Sequence, residues 1–363
     1  MPVTPETRAE AARLFDAFRA AGAVPVEADI LQPADVLLDL YGEDIRARAY
    51  VTHDPVRGEM MLRPDFTVPV VRAHMEGGAS PARYCYRGLV FRQQDGRPGQ
   101  PSEYMQVGFE VFDADAAAAD AEVFAVIAGL LAGLPVRAMT GDIGVLAAAV
   151  RGLTTTPARR AALMRHIWRP RRFRLLLDRF AGRTAPPPAR LRLIAALAEA
   201  RPAALMAAAG PEIGLRSPEE VAIRAAALVE DAKAPPIPAP EAEAMDDLIT
   251  VSGTAAAALE QIADIAVDLP ALAPAVERMA ARLDALRAAG VDPGALPFEA
   301  AHGRATLEYY DGFVFSFVAE GALPVASGGR YDALTAVLGQ GQSIPAVGGI
   351  VRPAVTARLR GLA

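Results

Sequence analysis

The chain has 363 residues, 52% of them hydrophobic, enough for a large core and more than one structural unit. Its net charge of −6 argues against a surface built to bind a nucleic-acid backbone, where clustered lysines and arginines displace counterions. Cys85 is the only cysteine, which excludes an intrachain disulfide or a cysteine zinc cluster and points to a reducing compartment, the cytoplasm.

Met1 to Glu10 lacks an apolar signal-peptide stretch, and no window approaches the roughly 20 apolar residues of a bilayer span, so a soluble protein is expected. Ala11, Leu14, Phe15 and Phe18 predict a helix from Pro5 to Ala21, with Thr4 as N-cap, Pro5 at the first helical position and Gly22 as the stop. Next, Leu62-Arg63-Pro64-Asp65-Phe66-Thr67 presents a carboxylate and a hydroxyl after a Pro-restricted turn. These groups suit an ammonium ligand, but read alone they suit a solvated turn better.

From Tyr84 to Phe112 the period changes to two. It predicts a strand from Tyr84 to Gln93, a Gly/Pro-rich loop from Asp95 to Pro101 and a second strand from Tyr104 to Phe112. Val107, Phe109 and Val111 take one face of the second strand, and Gln106, Gly108 and Glu110 the other. On the first strand Tyr84, Tyr86, Gly88, Val90 and Arg92 share one parity. An amide, a carboxylate and a guanidinium beside two glycines, which would leave space above the sheet, form either a ligand site or a face that meets water.

Between about Leu146 and Ala289, Ala/Leu/Arg segments have helical periodicity, interrupted by Pro186, Pro187 and Pro188 and by Pro235, Pro236, Pro238 and Pro240, where helices should end. Arg159, Arg160, Arg165, Arg169, Arg171, Arg172 and Arg174 surround Trp168, the only tryptophan. They read as a docking patch or as a solvated face in an arginine-biased chain. Strand character returns at Gly312 to Val318 and Leu323 to Ser327, followed by a glycine-rich turn and a short helix near Tyr331 to Leu338. The four histidines lack metal-ligand spacing, and no Walker loop, Gly-x-Ser-x-Gly elbow or His-Glu-x-x-His sequence occurs. The expected organisation is an α+β core in two parts, 1–145 and 291–363, around a helical insertion over 146–290.

Four segments, in order, resemble the catalytic core of histidyl-tRNA synthetases. The hairpin with Phe91-Arg92 and Gln106-Val107-Gly108-Phe109-Glu110-Val111-Phe112 looks like class II motif 2. Leu307-Glu308-Tyr309-Tyr310 and Gly328-Gly329-Arg330-Tyr331-Asp332 look like the two histidine signatures, and the similarity covers Met1 to about Asp142 and Phe298 onward. The resemblance implies a class II synthetase-like antiparallel sheet flanked by helices, and a dimer through that core. It also implies a histidine site in which Asp65, Thr67, Gln106 and Glu110 hold the α-ammonium, Tyr310 and Tyr331 contact the imidazole, and Arg92 faces the carboxylate or, in a synthetase, the ATP phosphate.

The pattern departs from the synthetases where the ATP chemistry lies. Ala305, beside Arg304, stands where they place an arginine. Pro345-Ala346-Val347-Gly348 opens like motif 3 but continues Gly349-Ile350-Val351-Arg352-Pro353, without the ATP-stacking arginine near Val355. Asp29 stands near the motif 1 proline, with Pro33 after it, and the sequence to Ala363 has no room for an anticodon-binding domain. With Phe298-Glu299-Ala300-Ala301-His302-Gly303-Arg304, the profile is similar to the regulatory subunits that accompany the short-form catalytic subunit of ATP phosphoribosyltransferase. That resemblance implies a non-catalytic histidine sensor in the first step of histidine biosynthesis, a homodimer within a hetero-oligomer, with no cofactor and no tRNA partner. A truncated, synthetase-like amino-acid-activating enzyme is the competing reading.

Overall fold

A computed structural model describes residues 3–34, 48–94, 101–210, 215–303, 309–321 and 323–362. The expectations placed on Ala305, Arg304 and the 95–100 part of the hairpin loop lie outside the described residues.

Helix α1 (Pro5–Ala20) starts as expected, with the Thr4 hydroxyl accepting from the Thr7 amide and Pro5 at a position whose missing N–H has no helical partner to lose. Gly22 takes φ 91 just beyond its end. Ala11, Leu14 and Phe18 are buried, and Phe18 stacks on Phe109 at 5.3 Å. Strand β1 (Val24–Pro25) follows, then β2 (Leu31–Pro33), β3 (Val51–Asp54) and β4 (Gly58–Leu62). The last three form a small antiparallel sheet in the order β2-β4-β3. Helix α2 (Thr67–Met75) leads into the hairpin of β5 (Ala82–Phe91) and β6 (Glu103–Phe112).

Helix α3 (Ala116–Leu130) and strand β7 (Arg137–Asp142) precede the helical stretch. It comprises α4 (Ile143–Gly152), α5 (Pro157–Arg165), α6 (Pro170–Phe180), α7 (Pro188–Glu199), α8 (Pro202–Ala208), α9 (Pro218–Lys233) and α10 (Ala239–Thr250). Strand β8 (Ser252–Thr254), α11 (Ala255–Asp268), α12 (Ala273–Ala288) and β9 (Pro297–Glu299) return to the sheet, and α12 lies against α3. The chain closes with β10 (Phe313–Val318), β11 (Ala326–Arg330), α13 (Asp332–Leu338), β12 (Ala346–Val351) and α14 (Pro353–Leu359).

Among the described residues nine strands form one sheet in the order β1-β5-β6-β12-β11-β10-β7-β9-β8, antiparallel except at β1–β5 and β7–β9. Val107, Phe109 and Val111 point into the packed core, and α1, α3 and α14 cover that side. This is an α+β sheet flanked by helices, as expected.

Three local expectations change. The Gly328-Gly329 pair is a strand segment rather than a turn, because β11 pairs with β10 and β12 on both sides. A Cβ on Gly328 would lie 2.3 Å from the Gly348 carbonyl oxygen, and one on Gly329 would lie 2.9 Å from the Tyr310 ring. Of the prolines expected to end helices, Pro188 instead begins one, and Pro157, Pro170, Pro202 and Pro218 are likewise each the first helical residue. Finally, Arg159 is buried rather than part of a solvated face. Its guanidinium bonds Asp231 at 2.6 Å and the carbonyls of Asp231 and Pro235, fastening α5 to the end of α9.

Candidate functional site

Across the hairpin, Tyr84, Tyr86 and Gly88 sit opposite Glu110, Gly108 and Gln106, so the parity read from each strand assembles one polar face. Three carboxylate contacts organise it. Glu110 accepts from the Tyr331 hydroxyl at 2.6 Å, the Tyr86 hydroxyl at 2.8 Å and the Thr67 hydroxyl at 3.2 Å. Thr67 opens α2, Tyr86 comes from β5 and Tyr331 follows β11, so Glu110 joins elements distant in sequence.

Burial pushes the Glu110 carboxyl up to about 7, against the three hydroxyls that favour its ionised form, and Asp65 adds repulsion. Burial also raises the Tyr86 and Tyr331 phenols far above their ordinary range, with the Glu110 charge as the next cause. Near neutral pH both phenols therefore stay protonated donors, while Glu110 changes charge.

Asp65 is buried, with Arg92 at 3.9 Å. Strand β5 ends at Phe91 rather than Gln93, so Arg92 is not a strand residue; its Nε–H donates to the Pro64 carbonyl at 2.7 Å and holds the Asp65 segment against the hairpin. Tyr310 lies edge-on to Tyr309 at 4.8 Å, and its hydroxyl is pushed up by burial and by the Glu110 charge. Arg352, whose guanidinium donates to the Pro324 carbonyl at 2.5 Å, is destabilised by burial and by Arg92 while Tyr104 and Tyr310 favour it. Gln106 is 1% exposed, and its Oε1 has no hydrogen-bond partner among the described residues. The seven expected residues thus lie in one neighbourhood, six of them buried and Arg92 partly exposed.

The space expected above Gly88 and Gly108 is filled. A Cβ on Gly108 would lie 2.1 Å from the Tyr86 ring, and one on Gly88 would lie 2.7 Å from the Arg63 guanidinium and 2.8 Å from Phe66. Phe66 stacks on Tyr86 at 4.4 Å, while Arg63 covers Phe66 and donates to Leu89 and Ala28 carbonyls. Gly348 serves the same face, since a methyl there would overlap Glu110. Sequence reasoning missed Tyr86 as a site residue, although it shares the polar parity with Gly88.

A second polar assembly adjoins the first. Arg330, next to Tyr331, bonds Asp120 at 2.8 Å and Asp332 at 2.9 Å, while Arg282 bonds Asp142 at 2.6 Å and reaches Asp120 at 3.5 Å. These buried pairs tie β11 to α3, α12 and the start of α4.

With that geometry, the likeness to known proteins becomes specific. A family model for histidyl-tRNA synthetase matches residues 4–211 and 219–353. The ATP phosphoribosyltransferase regulatory subunit of Brucella canis is 34% identical over 349 residues, spanning 89% of each chain, and that of Brucella suis biovar 1 matches equally. The chain belongs to the ATP phosphoribosyltransferase regulatory subunit family. Its fold agrees with that of an ATP phosphoribosyltransferase regulatory subunit/histidyl-tRNA synthetase from Bacillus halodurans C, at TM-score 0.68 and 19% identity over 99% of this chain and 80% of that one. A histidine–tRNA ligase subunit from Alicyclobacillus acidocaldarius gives TM-score 0.60 at 22% identity, covering 98% of this chain and 93% of its own. Membership fits the expectation of a regulatory subunit built on a class II synthetase core. Among the described residues no helix is long and apolar enough to cross a membrane.

Proposed function

We propose that this chain is the histidine-sensing regulatory subunit required by the short-form catalytic subunit of ATP phosphoribosyltransferase, acting in the cytoplasm in the first step of histidine biosynthesis. It would work as a homodimer within a hetero-oligomer, with no cofactor of its own. The observation that carries the reading is the buried Gln106 Oε1, without a hydrogen-bond partner among the described residues, on the same face as Glu110 and close to family-matched positions. An orphaned buried acceptor is costly, and a ligand ammonium group would satisfy it.

In this reading Asp65, Thr67 and Gln106 take the α-ammonium of histidine and Arg92 its carboxylate, by charge-assisted hydrogen bonds. Glu110 moves from the ammonium to the imidazole end, because Tyr86 and Tyr331 already donate to it. Tyr310 and Tyr331 complete that end. A neutral imidazole N–H can donate to the ionised carboxylate, and its other nitrogen can accept from a phenol.

The test combines isothermal titration with histidine and a phosphoribosyl-transfer assay of the catalytic subunit with and without this chain. We expect histidine binding, stimulation of the catalytic subunit, and loss of that stimulation at saturating histidine. No stimulation would end the regulatory reading. Histidine-dependent pyrophosphate exchange above background would favour an amino-acid-activating enzyme.

A further inference from the structure

Nine arginines and one aspartate lie between Arg159 and Arg183, in a chain of net charge −6. Most of these cations have identified contacts. Arg159 and Arg160 bond backbone carbonyls, Arg174 and Arg183 share Asp246, and Arg179 covers the Phe180 ring. Arg165, Arg171 and Arg172 differ: they are exposed, and none pairs with an acidic side chain among the described residues.

The positions of Arg171 and Arg172 are unfavourable for the isolated chain, whereas Arg165 lies in the last turn of α5. Arg169 is the N-cap of α6 and makes no side-chain cap, Arg171 and Arg172 follow in the first turn, and no acidic residue lies there. A cation at this positive helix end opposes the helix dipole instead of contributing stability. Arg172, Arg169 and Arg165 also converge on His166 and, after burial, depress its affinity for a proton. Within the same turn Trp168 is half-buried, with a buried Nε1–H that has no partner among the described residues, and Leu175 on α6 is 60% exposed.

We infer that the α5–α6 corner, centred on Arg165, Arg171 and Arg172 beside Trp168, docks an acidic protein surface on the catalytic subunit. Carboxylates from a partner would relieve the repulsion among the guanidiniums and the unfavourable helix end. Arginine and tryptophan together match the composition of protein interface centres. An apolar neighbour such as Leu175 fits a protein surface better than a phosphate backbone. This inference rests on the regulatory reading above.

The experiment measures association of the full chain with the catalytic subunit by biolayer interferometry at 50 and 300 mM salt, for the wild type and R165E/R171E/R172E. Charge reversal should weaken association at least about tenfold at low salt, mainly through a slower on-rate, with a smaller difference at high salt. Histidine titration and thermal melting of the variant should match the wild type. Equal catalytic-subunit binding by both proteins overturns the docking site while leaving the regulatory reading intact. No binding by the wild type overturns both. Competition by tRNA at physiological salt, removed by the same charge reversal, would reassign the patch to nucleic acid and overturn the inference.

Discussion

Adding one methyl group at Gly348 tests the site geometry. A Cβ there would lie 1.4 Å from Oε2 of Glu110 and 2.4 Å from its carboxyl carbon. Gly348 pairs with Glu110 on β6 and with Gly329 on β11, so its backbone has little freedom to retreat. The carboxylate must swing away and lose its bonds from Tyr331 and Tyr86. Hydrogen bonds to a charged group contribute about 1.5–3 kcal/mol each, and an extra methyl in a packed site costs about 1–3 kcal/mol. Because these effects overlap, Gly348→Ala should destabilise the fold by about 3–5 kcal/mol and weaken histidine binding by at least about a hundredfold. The neighbouring Gly349 faces the opposite side, where a methyl would meet Ile127 at 2.7 Å. Gly349→Ala should therefore cost about 1–3 kcal/mol of stability and leave histidine affinity within about threefold. Urea unfolding and calorimetric titration of both variants provide the assay. Wild-type histidine affinity in Gly348→Ala, or equal loss in the two variants, would refute this account of the site.

Two further predictions concern the buried charges. Glu110 in the folded chain holds its proton up to about 7, against an ordinary value of 4.5, so between these pH values the folded state binds more protons than the unfolded state. Its contribution to stability therefore falls as pH rises from about 4.5 to 7, and is flat outside that window. The wild-type minus Glu110→Gln difference in urea-unfolding free energy should fall across this range; a constant difference would contradict the assignment. Arg282→Met should destabilise the fold by about 3–5 kcal/mol, because it strands Asp142 and removes one partner of Asp120. Arg282→Met combined with Asp142→Asn should recover part of the loss, since Asn can still cap α4. A single-variant loss below about 1 kcal/mol in the same assay would show that the network is not coupled as described.

Much of the fold was legible where local chemistry decides it. The Thr4 cap, Pro5 and Gly22 bounded α1 to within a residue, and strand alternation separated Val107, Phe109 and Val111 from Gln106 and Glu110. Legibility failed where distant segments decide. Gly328-Gly329 looks like a turn in isolation, and only the flanking strands and the Tyr310 ring explain the glycines. Arg159 looked like a surface cation because Asp231 and Pro235 lie more than seventy residues away. The candidate site followed the same rule: its residues matched a family pattern, but the pattern carried no sign that Tyr86 fills the space over Gly108.

That filled space bears on how a sensor could work. Glu110 already has phenol and hydroxyl donors, so an imidazole that bonds it must share or displace Tyr86 or Tyr331. Tyr331 lies between Arg330 and Asp332, both fixed by buried or backbone bonds, with Arg330 tied to Asp120 and Asp332 accepting from the Ala346 amide. The Tyr331 backbone is thus held, whereas the Tyr86 side chain rests on Phe66 and over a glycine. Displacing the Tyr86 hydroxyl disturbs its contacts with Glu110, Thr67 and the Phe66 ring, while moving Tyr331 disturbs a network reaching α3 and α12. Regulation requires two states with different histidine affinities, and the Tyr331 network links the pocket to helices beyond the sheet, whereas Tyr86 does not. If histidine moved only Tyr86, the pocket would bind ligand without the Arg330 connection conveying it. Amide hydrogen exchange on α3 and α12, with and without histidine, distinguishes the two: changed protection there requires the Tyr331 route, and unchanged protection excludes it.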